Sequence, residues 1–300
     1  MARKRDIIVA VIIAVSFVFV FVIFAVMMFG TLAPGDMEFA GFSGGSVGVV
    51  NMYGVMYEES GRPVIEQLKK WQDNSSIKAI VVHINSGGGG VAISQEIYDA
   101  ILRVREEKPV VASMASVAAS GGYYIACAAD RVVANPGSLT GSIGVIASYH
   151  TFQELMKKIG IDTETIKSGE LKDVFSYHRS MTEKEELMIQ AVINDSYEQF
   201  VEVVAKGRDM DKEEIYPLAD GSVFTGQMAY NLGLVDTLGG LHEAVQLAAE
   251  LAGLEEDPKI VRPYKRERFS LADLLTGLLG DVRTAVESTP AGPKLLYEYQ

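Results

Sequence analysis

The sequence predicts an α/β fold with a mostly parallel sheet, preceded by one N-terminal transmembrane helix. Three observations predict it. Residues 7–29 form an uncharged apolar run, β-branched runs alternate with helical stretches from residue 47 onward, and glycine- or serine-rich turns follow strands directly. The 300 residues are 48% hydrophobic, enough for a sizeable core and too apolar for a disordered chain. A net charge of −12 argues against a nucleic-acid-binding surface. A single cysteine, Cys127, rules out an intrachain disulfide framework and a cysteine-rich zinc site. The histidines are His83, His150, His178 and His242. No metal and no other cofactor is expected.

The run over 7–29 holds one polar side chain, Ser16. A helix of this length crosses a hydrocarbon core of about 30 Å. Arg3, Lys4 and Arg5 precede it and Asp36 and Glu38 follow. The positive-inside rule therefore puts the N-terminus in the cytoplasm and the rest of the chain outside. A cleaved signal peptide is the alternative, but its apolar core is shorter, about 7–15 residues, and no small-x-small site follows Phe29. Residues 1–30 thus read as a cytoplasmic tip and a cell-membrane anchor. Residues 31–46, rich in glycine and serine, read as a flexible spacer.

Residues 47–53 and 79–85 have the composition of buried strands, with a helical segment over 63–73 between them. Over 91–107, Ile93, Ile97, Ile101, Leu102 and Val104 line one helix face. A strand over 109–112, a helix over 120–129 and a strand over 131–134 follow. The next elements are a short helix over 153–159, a strand over 163–167 and a long helix over 182–207. Thr182 can cap that helix, with Glu185 completing a capping box. Helices over 227–232 and 241–251 complete a domain spanning 47–254. The tail, 255–300, joins a basic run (Lys265, Arg266, Arg268) to an apolar helix around 271–279. That run is a solvated face or a contact between subunits.

Three turns could carry chemistry. The first, residues 85–90 (NSGGGG), leaves backbone N–H groups at a helix N-terminus. It is either an anion or oxyanion site or a tight strand-to-helix turn. In the second, small residues surround Ser120 and Gly121 follows it, so the hydroxyl is either a presented nucleophile or a helix N-cap. The third, residues 139–145 (LTGSIGV), is a polar turn entering a strand. A serine nucleophile needs a base. None of the histidines occupies an evident base position, and His83 falls within a buried strand. A lysine whose charged form is disfavoured by burial is the alternative. Lys167 and Lys172 both lie among apolar neighbours in residues 166–175, and composition does not choose between them.

The stretches AIVVHINSGGGG, SMASVAASGGYYIACAADRVVANPGSLTGSIGV and TIKSGELKDVFS, in this order and spacing, resemble the signal peptide peptidase A family of membrane-bound serine proteases. Residues 194–207, 219–226 and 233–239 look similar too, and the resemblance covers about 47–251. It implies a ClpP/crotonase-like fold in the short, single-unit form of the family. It also implies a Ser-Lys dyad, with Ser120 as nucleophile, Lys172 as general base and Ser142 orienting the lysine. The oxyanion hole would use the N–H groups of Gly121 and of Gly88 or Gly89. The family often has a proline where this chain has Gly87, which leaves the choice between those two glycines open. The resemblance further implies a homo-oligomeric ring, with the serine and lysine of each site coming from neighbouring subunits. The expected substrates are signal peptides or other short hydrophobic peptides. The rivals are a protease dedicated to one membrane-protein partner, a crotonase-like acyl-CoA enzyme, and a non-enzymatic scaffold.

Overall fold

The computed structural model describes residues 45–263. The membrane helix expected over 7–29, the spacer up to residue 44, and the basic run and apolar helix of the tail lie outside the described residues. Among the described residues, no helix is long and apolar enough to cross a membrane.

Strands β1 (Ser46–Tyr53), β2 (Ile77–Ser86) and β3 (Val110–Ala119) run parallel at the centre of an eight-stranded sheet. Helices α1 (Glu58–Asp73) and α2 (Val91–Arg105) make the crossovers. Both faces of the sheet are buried, which is why these strands read as continuous apolar runs. Ile80, Val82 and Ile84 join Leu68, Trp71, Ile97 and Ile101 in one core. Ala79 and Val81 join Val245 and Ala248, from the helix over Leu241–Leu251, in the other.

β3 continues well beyond the strand expected over 109–112. Its second half is built of small residues with little strand propensity, and pairing on both sides holds it extended. β4 (Arg131–Ala134) pairs with its first half and β5 (Leu139–Gly141) with its end. Against β2 the ladder is bulged. Ile84 lies opposite Met114 but Ser86 lies opposite Ala118, so residues 115–117 all pass Asn85. The Asn85 side-chain oxygen accepts the Val117 N–H at 3.2 Å, standing in for a strand partner.

Three short strands complete the sheet: β6 (Val223–Thr225) beside β5, β7 (Thr237–Leu238) beside β4, and β8 (Lys259–Val261) beside β1. Among the described strands only the β5–β6 pair is antiparallel, which agrees with the mostly parallel sheet expected. β8 also carries the sheet past residue 254. The remaining helices are α3 (Gly121–Ala126), α4 (Gln153–Lys158), α5 (Glu183–Arg208), α6 (Lys212–Ile215), α7 (Gly226–Asn231) and α8 (Leu241–Leu251). α1 starts before Pro63, at Glu58, where the Ser60 hydroxyl accepts the Tyr57 N–H at 2.9 Å.

The strand expected over 163–167 does not form. Alternating β-branched residues suit a strand, but they pair with no described strand, and Ile166 is fully exposed. Residues 142–152 are likewise irregular, so the strand expected to follow the turn over 139–145 does not form; a short strand occupies the start of that turn instead.

Candidate active site

Because β2 and β3 are adjacent and parallel, the turns that follow them meet at the carboxyl edge of the sheet, where open α/β sheets bind ligands. β5 brings the third turn alongside. Ser120 lies between the end of β3 and the start of α3 with φ 51° and ψ −122°. This backbone conformation costs a residue with a side chain about 1–3 kcal/mol. Two hydrogen bonds hold it: the Ser120 N–H donates to the Gly141 carbonyl at 2.8 Å, and the Ser120 carbonyl accepts from the Tyr124 N–H at 2.9 Å. No side-chain capping bond engages the hydroxyl, so Ser120 is not acting as a side-chain N-cap.

The glycines of the first turn differ in their hydrogen bonds. The Gly88 N–H is bound to Ser86 Oγ at 3.1 Å. The Gly88 carbonyl accepts from Met56 N–H at 2.9 Å, and the Gly90 N–H donates to the Met56 carbonyl at 2.8 Å. These bonds leave the Gly89 N–H without a partner among the described residues. The Gly121 N–H, first in α3, is in the same position, as helix geometry requires. The two loops approach so closely that a Cβ on Gly88 would lie 2.7 Å from Gly121 N and 3.0 Å from Ser120 Cβ. A Cβ on Gly121 would lie 3.3 Å from Gly89 N. Two unengaged amides beside a hydroxyl can stabilise an oxyanion. Of the two glycines left open by the sequence, Gly89 has the available N–H. Gly88 is there for the close approach, with φ +104°.

Ser120, Gly121 and Gly89 open onto a cleft of about 630 Å³. Val91, Tyr124, Ile193, Tyr197 and Phe200 give it an apolar wall. Tyr124 is held edge-on to Tyr98 and Phe200, at centroid distances of 5.3 and 5.1 Å. Ser142 lines the same cleft with φ 49°, its N–H donating to the Ser222 carbonyl at 2.7 Å. Among the described residues no histidine or lysine lines it, and its one carboxylate is Asp220. His83 is half-buried elsewhere, its Nδ1 3.1 Å from Ser113 Oγ, and burial pushes its pKa down. Cys127 is fully buried and burial pushes its thiol up to about 11, an unreactive state.

Lys172 is not part of this cleft. It occupies an exposed turn, and its ammonium makes no hydrogen bond or ion pair among the described residues. Lys167, by contrast, donates to Asp173 Oδ1 at 2.5 Å and to the Glu170 carbonyl at 2.8 Å. The structure therefore brings together Ser120, Ser142, Gly88, Gly89 and Gly121, leaves Lys172 apart, and gives Lys167 a structural task.

Sequence reasoning missed Arg179. Its guanidinium spans Asp173 (Nε to Oδ2 3.1 Å, Nη2 to Oδ1 2.7 Å) and Glu185 (Nη1 to Oε2 2.8 Å, Nη2 to Oε1 2.5 Å). Arg179 and Lys167 hold the Asp173 carboxyl well below the usual carboxylate range. Arg179, with the Thr182 N–H, brings Glu185 down to about 2. The Glu185 side chain was legible as half of a capping box, which does form, but nothing in the sequence marked its second partner.

An α/β protein with a strained serine at a strand end, facing two unengaged amides in an apolar cleft, has the equipment for acyl transfer. Residues 103–255 match peptidase family S49. A Synechocystis sp. protein named as a candidate protease is 42% identical over 208 residues, which are 69% of this chain and 75% of that one. An Enterococcus faecium protein named as a candidate signal peptide peptidase SppA is 39% identical over 218 residues, 71% of this chain and 62% of that one. The chloroplastic serine protease SPPA of Arabidopsis thaliana is 35% identical over 217 residues, 72% of this chain and 32% of that one. The chain thus spans less than two thirds of the last two relatives. It belongs to peptidase family S49 and is a serine peptidase of the SppA type. That membership decides against the acyl-CoA and scaffold readings.

Proposed function

We propose that the protein is a membrane-anchored endopeptidase of signal peptides or other short hydrophobic peptides, acting through an acyl-enzyme. Ser120 Oγ attacks the peptide carbonyl. Lys172 Nζ takes the hydroxyl proton and passes it to the leaving amine, and water then releases the acyl group. The N–H groups of Gly89 and Gly121 receive the oxyanion, Ser142 orients the lysine, and the wall of Tyr124, Ile193 and Phe200 accepts apolar side chains. The segment over 7–29 anchors the chain, with the peptidase domain on the outer side of the cell membrane.

One observation carries this reading: among the described residues neither histidine nor lysine lines the cleft around Ser120, while Lys172 is unengaged on an exposed turn. A lysine acts as a base once burial disfavours its charged form, so a second surface has to cover it. The segment that bears Lys172 exposes Ile146 (88%), Phe152, Leu155, Ile159 and Ile166 (102%), an apolar surface suited to another copy of the chain. A ring in which each subunit lends Lys172 to its neighbour's Ser120 satisfies both needs.

The test is complementation. Ser120→Ala and Lys172→Ala are each expected to abolish peptide hydrolysis by the full chain in detergent, by about 10⁴-fold or more. Co-expressed, the two variants are expected to regain about a quarter of wild-type activity, the chance that neighbours each bring one intact residue. No recovery in mixed oligomers would falsify the shared dyad, and activity in either single variant would remove that residue from the mechanism.

A further inference from the structure

The turn that presents Lys172 is fastened with unusual care for an exposed segment. Asp173, the next residue, receives Lys167 and two nitrogens of Arg179. Its carbonyl accepts the Ser176 hydroxyl at 2.6 Å and the Ser176 N–H at 3.2 Å, which closes the turn behind it. The other edge of the Arg179 guanidinium grips Glu185, whose side chain is only 1% exposed. Glu185 is itself fixed by the Thr182 N–H at 2.8 Å and the Thr182 hydroxyl at 3.1 Å. A second tether runs from Lys184 to Glu170 at 2.5 Å, between the same helix and the same turn. Glu185 lies in the first turn of α5, and the far part of that helix is anchored in the core by Phe200, Val201 and Val204. An otherwise loosely packed turn is thereby referred to the core chiefly through the Arg179 guanidinium, with the Lys184–Glu170 pair beside it.

The pattern of engagement is selective. Around the turn, Lys167, Asp173, Arg179 and Glu185 are joined in one cluster and Lys184 is paired with Glu170, and Lys172 in their midst is left out. Arg suits the bridging role better than Lys, because its planar fork binds two carboxylates in fixed geometry. A purely stabilising cluster needs no unengaged lysine at its centre, whereas a device for presenting an amine does.

We propose that Arg179 is a positioning residue for the reaction: by bridging Asp173 and Glu185 it holds the turn in the one conformation that presents the Lys172 amine to the serine it serves. The proposal rests on the reading of Lys172 as general base. Arg179 touches neither substrate nor the reacting atoms. Its contribution is to the alignment of the amine, and misplacement by about 1 Å can cost on the order of 100-fold in rate.

The experiment compares Arg179→Gln, Arg179→Lys, Asp173→Asn and Lys172→Ala in the full chain in detergent, with oligomer size and thermal unfolding measured on each. Arg179→Gln is expected to lower kcat about 10- to 100-fold with KM unchanged and the assembly intact, and to displace the lysine limb of the kcat–pH profile. Arg179→Lys is expected to recover part of the loss. If Arg179→Gln does not assemble, Asp173→Asn decides, because it leaves the Arg179–Glu185 pair in place and is expected to lower kcat in the same way. Wild-type kcat and pH profile in Arg179→Gln, or in Asp173→Asn where that variant decides, with Lys172→Ala inactive, would overturn the positioning role alone. An active Lys172→Ala would overturn the base assignment and the positioning role with it.

Discussion

Residues 46–141 and residues 142–182 are built on opposite principles. In the first stretch parallel strands and crossover helices bury most apolar side chains, and the serine and the two amides are set by backbone pairing. In the second stretch only Ile143 is buried in the core, α4 has no buried residue, most large apolar side chains face solvent, and ion pairs fasten the turn at 167–179. The difference separates two requirements of the proposed chemistry. An oxyanion site tolerates little movement and is made from a rigid sheet edge. In the proposed ring, the base that has to meet another subunit would be carried on a segment that gains packing on assembly.

The contrast can be broken most severely at Gly88. Gly88→Ala places a Cβ 2.7 Å from the Gly121 nitrogen at a φ of +104°, so one of the two amides must move. Loss of one oxyanion donor costs about 10²–10³-fold in kcat, which steady-state hydrolysis reads directly. Near-wild-type kcat would mean that the sheet edge is less exacting than its packing implies.

Acid is expected to separate the two regions without mutation. Asp173 and Glu185 both titrate below their ordinary range, so the contribution of their charge to stability is whole above the unfolded carboxylate values, about 4. It is lost as the pH falls through the folded value, about 2 for Glu185. Amide exchange corrected for its intrinsic rate should therefore lose protection over residues 169–182 in this window while β1–β3 keep theirs. Equal loss in both regions would contradict an ionic origin for the order of the turn.

The smallest expected effect is at Gly87. A side chain there meets open space and its φ is not left-handed. Gly87→Ala should stabilise the chain by about 0.4–1 kcal/mol in thermal or denaturant unfolding, mainly by restricting the unfolded state. Destabilisation would show that the first turn needs glycine at that position as well as at Gly88.

What could be read from the sequence follows the same division. Buried parallel strands announce themselves through runs such as 79–85, and the long helix through its Thr182–Glu185 cap. The second half of β3 did not, because serine and alanine become strand only through partners on both sides. The three-residue strands β6 and β8 are too short to show a period. The stretch 163–167 has the periodicity of a strand but pairs with no described strand. At the site, glycine and serine spacing marked Ser120 and its neighbours. The choice of Gly89 over Gly88 needed the bond from Gly88 N–H to Ser86, and the structural task of Lys167 needed its contact with Asp173. Arg179 carries no local pattern at all.

The bulge at Asn85 acts as a spacer of even length. Had the pairing of Ile84 with Met114 continued unbroken, Gly88 would stand level with Ala118 and Ser120 with Gly90. The shifted pairing of Ser86 with Ala118 instead brings Ser120 level with Gly88. Two residues of strand are about 6–7 Å, more than a hydroxyl and an amide can bridge. An odd offset would have turned Ser120 to the opposite face of the sheet, whereas an even one changes its height alone. The alignment of nucleophile and amides is thus decided by parity and step count in the ladder, and a single carboxamide at Asn85 fills the gap that this offset leaves.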